Sequence, residues 1–142
     1  MPDIRHSIPI AASPEAIYPL ISTAQGMAQW WAEDVTESDG AASLGFFNRT
    51  TVYRLRMHSQ QPPAAAEWLC ESGDQWNGTR LIFELESRGD GTFLRFTHGN
   101  WIEDTEYFYC CTTTWGALMF RLKAAAEGQG RGPLFAAAGI GY

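Results

Sequence analysis

Ile4, His6, Ile8 and Ile10 alternate with Arg5, Ser7 and Pro9, a period of two that predicts a strand. Pro9 cannot donate to a ladder, so it belongs near a strand end or on an edge. The pattern then changes to helical. Ser13 is placed as an N-cap, Pro14 suits the first helical position and Glu15 the positive end of the dipole, while Ile17, Tyr18, Leu20 and Ile21 form the apolar stripe. Thr23 can cap a second short helix, in which Met27 and Trp31 are four apart with Trp30 beside them. Glu33 to Ala42 is acidic and polar and reads as a loop. From Leu44 to Trp101 the alternation predicts strands throughout. Tyr53, Leu55 and Met57 share one face, as do Ala66, Trp68 and Cys70, then Leu81, Phe83 and Leu85, then Leu94, Phe96 and His98. Gln60-Gln61-Pro62-Pro63 and the stretch from Ser72 to Gly78 break the runs, and Ser87-Arg88-Gly89-Asp90-Gly91 is a hairpin signal.

Beyond Asp104 the period becomes helical again. Phe108, Cys111, Trp115, Leu118 and Leu122 fall at steps of three and four up to Glu127, with Met119 and Ala126 widening the stripe and Gly128 placed to end it. Cys110 to Thr114 are poor helix formers, but the period and the caps outweigh propensity. The Gly-rich end reads as a loose tail over 136–142. The order is strand, two short helices, about six strands and one long helix. That excludes a doubly wound sheet and favours an α+β fold in a single domain over 1–135.

Composition narrows the partners. The chain has 142 residues with Trp 6, Tyr 5 and Phe 8, too aromatic for a disordered segment. A formal charge of -6 is the wrong sign for neutralising phosphates or anionic lipid headgroups, so neither nucleic acid nor a membrane is expected as a partner. The N-terminus has no basic region followed by an apolar stretch, and a cytoplasmic protein with reduced cysteines is expected. There is no CxxC, HxxxH or HExxH, so no metal is expected; no cofactor is either, since Gly128-Gln129-Gly130-Arg131-Gly132 follows a helix instead of opening one.

The segment from Ile8 through Ser13-Pro14-Glu15-Ala16-Ile17-Tyr18 to Trp30-Trp31 resembles the opening of the Bet v 1/START-like (SRPBCC) superfamily, in the branch of the activator of Hsp90 ATPase. Trp76-Asn77-Gly78-Thr79, the hairpin Gly89-Asp90-Gly91-Thr92 with Leu94 to His98, the helix from Trp115 to Lys123 and Glu127-Gly128-Gln129-Gly130 fit the same branch. The resemblance spans residues 4 to 133. It implies a helix-grip fold, in which a curved antiparallel sheet of about six to seven strands wraps around a long C-terminal helix and encloses a cavity. The chain departs from the branch between Glu37 and Asn48, and 136–142 have no counterpart.

The inward faces nominate a lining of Trp31, Tyr53, Leu55, Met57, Trp68, Cys70, Phe83, Leu85, Phe96, His98, Phe108, Cys111, Trp115 and Met119. So many large side chains would make a core unaided, yet with a few polar anchors they also describe a hydrophobic ligand pocket. No catalytic residue is assigned. His98 is the one candidate acid or base, although a lone inward histidine reads first as a hydrogen-bonded core residue. Trp30-Trp31 reads first as one ring in the core with the other half-exposed, and second as an anchor for a partner protein. Three functions follow in order. The first is a small-molecule binding protein holding a hydrophobic or aromatic compound; the resemblance adds a polyketide cyclase/dehydratase-like enzyme and an interaction protein acting on an Hsp90-type chaperone.

Overall fold

A computed structural model describes residues 1–142. The elements are β1 (Ile4–Ile10), α1 (Pro14–Ser22), α2 (Ala24–Met27), β2 (Asp34–Ser38), β3 (Ala41–Phe46), β4 (Thr51–Gln61), β5 (Ala65–Cys70), β6 (Arg80–Arg88), β7 (Gly91–Gly99), α3 (Glu106–Ala126), β8 (Phe135–Ala136) and β9 (Gly139–Ile140). Strands β1 to β7 form one antiparallel sheet in the order β1-β7-β6-β5-β4-β3-β2. Its inner face carries the side chains that alternation selected, and α3 lies across it with Phe108, Cys111, Trp115, Leu118, Met119 and Leu122 turned inward. This is the α+β helix-grip architecture.

Local chemistry sets the boundaries. Ser13 Oγ accepts from Ala16 N at 3.2 Å, Thr23 Oγ1 from Gly26 N at 2.9 Å and Thr105 Oγ1 from Phe108 N at 3.2 Å, so each helix starts on a capping hydroxyl. A Cβ on Gly26 would sit 2.0 Å from the Pro19 carbonyl oxygen, so this approach of α2 to α1 excludes any side chain there. Within α3, Thr112 and Thr113 turn their hydroxyls back onto the Phe108 and Tyr109 carbonyls, which satisfies those polar groups inside the helix.

Three expectations are corrected. The acidic stretch from Glu33 to Ala42 is not a loop. It holds β2 and the start of β3, joined at Asp39 and Gly40 with φ of 53° and 75°, the left-handed pair of a tight hairpin. As an edge strand, β2 is half-buried at best, which explains its polar composition. Next, α2 ends at Met27, so Trp30 and Trp31 lie beyond it in the turn that leads to β2. Both rings are fully buried and stacked at 5.7 Å, neither half-exposed nor available as an anchor, and Trp30 Nε1 donates to Leu20 O at 2.8 Å. Finally, the residues expected as a loose tail fold back, Phe135–Ala136 pairing with Gly139–Ile140 as a small hairpin.

Candidate functional site

The turn after α2 drives Trp31 between the sheet and α3. Its ring centroid lies 4.9 Å from that of Trp115, 6.2 Å from Trp76 and 6.3 Å from Phe46. This wedge fills the middle of the grip. Beside it lies a pocket of about 250 Å³, between β3, β4, the first half of α3 and the C-terminal hairpin. Its walls are Trp31, Phe46, Phe47, Thr51, Tyr53, Trp76, Tyr107, Cys110, Cys111, Thr114, Trp115, Leu118, Phe135, Ile140 and Tyr142.

Of the nominated lining residues, Trp31, Tyr53, Cys111 and Trp115 reach this pocket. Leu55, Trp68, Cys70, Phe83, Leu85, Phe96, His98, Phe108 and Met119 are buried in packed core away from it, and Met57 is half-buried at the core margin. Alternation told which way these side chains point but not which part of the face Trp31 would fill. Trp76 escaped because it sits in the non-periodic turn between β5 and β6. Gly73 makes its placement possible: φ is 92°, and a Cβ there would meet the Tyr53 ring at 2.6 Å. Tyr53 and Trp76 stack at 3.9 Å with planes 5° apart and form the pocket floor.

No side chain lining the pocket is Asp, Glu, Lys, Arg or His. Its polar groups are neutral. The Tyr53 and Tyr107 hydroxyls are hydrogen-bonded to each other, and Thr114 Oγ1 bonds the Tyr142 hydroxyl at 2.8 Å. Burial pushes the Tyr53 phenol up to about 12 and raises Tyr107 further, helped by the bond to Tyr53. The Cys111 thiol is also raised by burial, which outweighs the opposing influence of the nearby Trp76 and Tyr107 side chains. Trp76 Nε1 is buried without an acceptor in hydrogen-bonding geometry. A thiol raised in this way has little thiolate at neutral pH and is a poor nucleophile.

His98 does not serve the pocket. Trp115 Nε1 donates to its Nδ1 at 3.1 Å, so Nε2 carries the proton and donates to Thr79 Oγ1 at 2.9 Å; Thr79 in turn donates to the Trp76 carbonyl at 2.5 Å. Burial lowers its pKa to about 3. With both nitrogens engaged, His98 holds the Trp76 turn and α3 onto β7 and supplies no base to Cys111. No cluster of three or more His, Cys, Asp or Glu side chains is placed to hold a metal ion. His6 Nε2 lies 3.1 Å from the Thr112 carbonyl and fastens β1 to α3.

The pocket mouth is bordered by a strained turn. Phe47, Asn48 and Arg49 all have positive φ, 52°, 57° and 65°, a conformation that costs non-glycine residues energy. It leaves Phe47 59% exposed at the rim, and Arg49 is pinned to Asp34 at 2.6 Å. No helix is long and apolar enough to cross a membrane.

Comparison with known proteins places this architecture. The solution structure of the Aha1 dimer from Colwellia psychrerythraea is similar, with a TM-score of 0.78 and 32% identity, over 91% of this chain and 98% of that one. A Staphylococcus saprophyticus protein shares the fold at a TM-score of 0.71 and 13% identity, over 91% and 94% of the two chains. One from Bacillus halodurans does so at 0.71 and 18%, over 89% and 98%. No curated protein matches the chain. The family model described as activator of Hsp90 ATPase homolog 1-like protein matches residues 11–127, and the chain, with its sheet gripping α3 around a buried tryptophan wedge, belongs to that family.

Proposed function

We propose that this protein binds a small, uncharged aromatic compound in the pocket beside Trp31. The observation that carries the reading is the lining: aromatic rings on several sides, five hydroxyls of which four form two bonded pairs, and no Asp, Glu, Lys, Arg or His. An ionised ligand would lose its water without gaining a counter-charge, which costs several kcal/mol or more. At about 250 Å³ the volume falls just below the ~300–1,000 Å³ usual for ligand sites, which favours one- or two-ring compounds. An enzyme of the polyketide cyclase type gains no support here, because no Asp, Glu, Lys, Arg or His lines the pocket and burial raises the Tyr53 phenol and the Cys111 thiol.

A matched pair of dyes tests this. N-phenyl-1-naphthylamine is neutral, and 1-anilinonaphthalene-8-sulfonate adds a single sulfonate to the same skeleton. Saturable one-to-one binding of the neutral dye, with the sulfonate at least about tenfold weaker, is expected. Equal binding of both would remove the charge argument. No binding of either, and no thermal stabilisation that grows with concentration of any flat neutral aromatic, would sink the ligand reading.

A second reading has its own support. The Colwellia protein called Aha1 is matched over 98% of its length, so a chain of this size carries that name, and interaction with an Hsp90-type chaperone is the corresponding proposal. Stimulation of such a chaperone's ATPase by the purified protein tests it, and no stimulation at tens of micromolar would end it (about −6 kcal/mol of binding is then absent).

A further inference from the structure

Arg121 is the unexplained charge in this fold. It lies on α3, is only 7% exposed, and no acidic side chain pairs with it. Its guanidinium instead donates to backbone carbonyls. Nη1 reaches Gly132 O at 2.9 Å, Pro133 O at 3.2 Å and Arg131 O at 3.4 Å, and Nη2 reaches Gly141 O. These carbonyls flank the C-terminal hairpin on both sides. A buried guanidinium paired only with carbonyls is an expensive way to hold a surface segment, unless the position of that segment matters.

What the segment does is wall one side of the pocket. Ile140 and Tyr142 form part of its wall, and the Tyr142 hydroxyl is tied to Thr114 on the far side. The anchoring is uneven. Upstream, Leu134 N and Phe135 N donate to the Trp30 and Trp31 carbonyls at 3.1 and 3.0 Å, and Leu134 is buried. Beyond Phe135 the side chains are Ala136, Ala137, Ala138 and two glycines apart from Ile140 and Tyr142, and little is buried. The outer part is held by its short ladder, Phe135 with Ile140 and Ala136 with Gly139, by Arg121, by the bond from Gly141 N to Leu134 O at 2.8 Å, and by exposed bonds from Ala137 N to Glu33 and between the Tyr142 and Thr114 hydroxyls. A hinge after Phe135 would therefore swing Ile140 and Tyr142 off the pocket while the core stays intact.

We propose that residues 136–142 are a strap that limits which ligands enter the pocket, with Ile140 and Tyr142 as the selecting wall and Arg121 as the positioning residue that holds them. This deepens the ligand reading and rests on it. The test therefore includes a ligand-free readout. Cys111 lines the pocket beneath the strap, whereas Cys70 is buried under the sheet and does not.

N-ethylmaleimide labelling, resolved by peptide mapping in a Cys110→Ser background that removes the exposed neighbouring thiol, compares Cys70 with Cys111 in the full chain, a form ending at Phe135, Arg121→Met and Arg121→Lys. Loss of the strap is expected to speed Cys111 labelling about tenfold or more while Cys70 stays slow. Arg121→Met should follow the truncation, and Arg121→Lys should restore part of the protection. In parallel the neutral naphthylamine should dissociate faster, and Nile red, a bulkier neutral dye, should gain affinity. Should the truncated chain fold poorly, the double variant Ile140→Ala/Tyr142→Ala, at exposed positions, opens the same wall. Unchanged Cys111 labelling, or Cys70 and Cys111 rising together, overturns the strap. Faster Cys111 labelling in a protein that binds neither dye supports the strap and overturns the ligand reading.

Discussion

Replacing His98 by glutamine should abolish an acid sensitivity that the native protein carries. The imidazole is fully buried and held neutral by the donor Trp115 and the acceptor Thr79, and burial lowers its pKa from 6.5 to about 3. The unfolded chain therefore binds the extra proton between those two values, and the folded chain does not. The stabilisation is complete above about pH 6.5 and is lost as pH falls towards 3. Between pH 7 and pH 5 the native protein should lose about 2 kcal/mol from this residue alone, an order-of-magnitude figure. The three carboxylates with a shifted titration do not confuse this window. Glu71, Glu86 and Glu127 sit below their ordinary 4.5, so their contributions fade only at more acid pH. Urea unfolding at pH 7 and pH 5 measures the loss, and glutamine, which can donate and accept but does not titrate, should show about 2 kcal/mol less of it. An equal loss in both proteins would refute the reasoning. So would ring nitrogen shifts of a doubly protonated His98 in the folded protein at pH 5, which need no substitution.

Other outcomes follow from the same geometry. Trp115→Phe keeps a ring but leaves His98 Nδ1 without its donor, and urea unfolding should show a loss of about 1–3 kcal/mol. Gly26→Ala drives a Cβ into the Pro19 carbonyl oxygen and should destabilise by more than ~1 kcal/mol, although alanine is the better helix former; a stabilised variant would refute that close approach. Gly73→Ala places a Cβ against the Tyr53 ring and a side chain at φ of 92°, so it should weaken binding of the neutral naphthylamine more than it lowers the melting temperature. Thr23→Ala removes the cap of α2 and should cost about 1 kcal/mol by the same urea assay.

The sheet and the long helix were readable because their signals are local. Ile4, Ile8 and Ile10, or Leu81, Phe83 and Leu85, alternate cleanly, and Ser13 and Thr23 are caps whose partners lie three residues away. The β2–β3 hairpin carried its own signal in Asp39-Gly40, but acidic composition masked it, since an edge strand facing water has no apolar face to display. The pocket was harder for a different reason. Alternation places Tyr53 and Phe96 on one face alike, yet Tyr53 lines the pocket and Phe96 packs under Trp115 with ring centroids 4.2 Å apart. The difference is made by Trp31, which arrives from a turn outside any period. Trp76 comes from another such turn, and Ile140 and Tyr142 from a segment whose glycines suggested looseness. Arg121 looked like an ordinary cation near a helix end, because its carbonyl partners lie ten to twenty residues further along the chain.

The stacked tryptophans also have an optical consequence. All six indoles are buried, so the native protein should emit at short wavelength and shift to the red only on unfolding. Trp31 lies 5.7 Å from Trp30 and 4.9 Å from Trp115, and Trp76 lies 6.1 Å from Trp115 at 16° between planes, close enough for their excited states to couple and split the near-ultraviolet circular dichroism bands. Three of these rings are also pocket walls. A guest with no chromophore of its own would alter that coupling on entry, so the protein carries an intrinsic spectroscopic gauge of whether its pocket is filled.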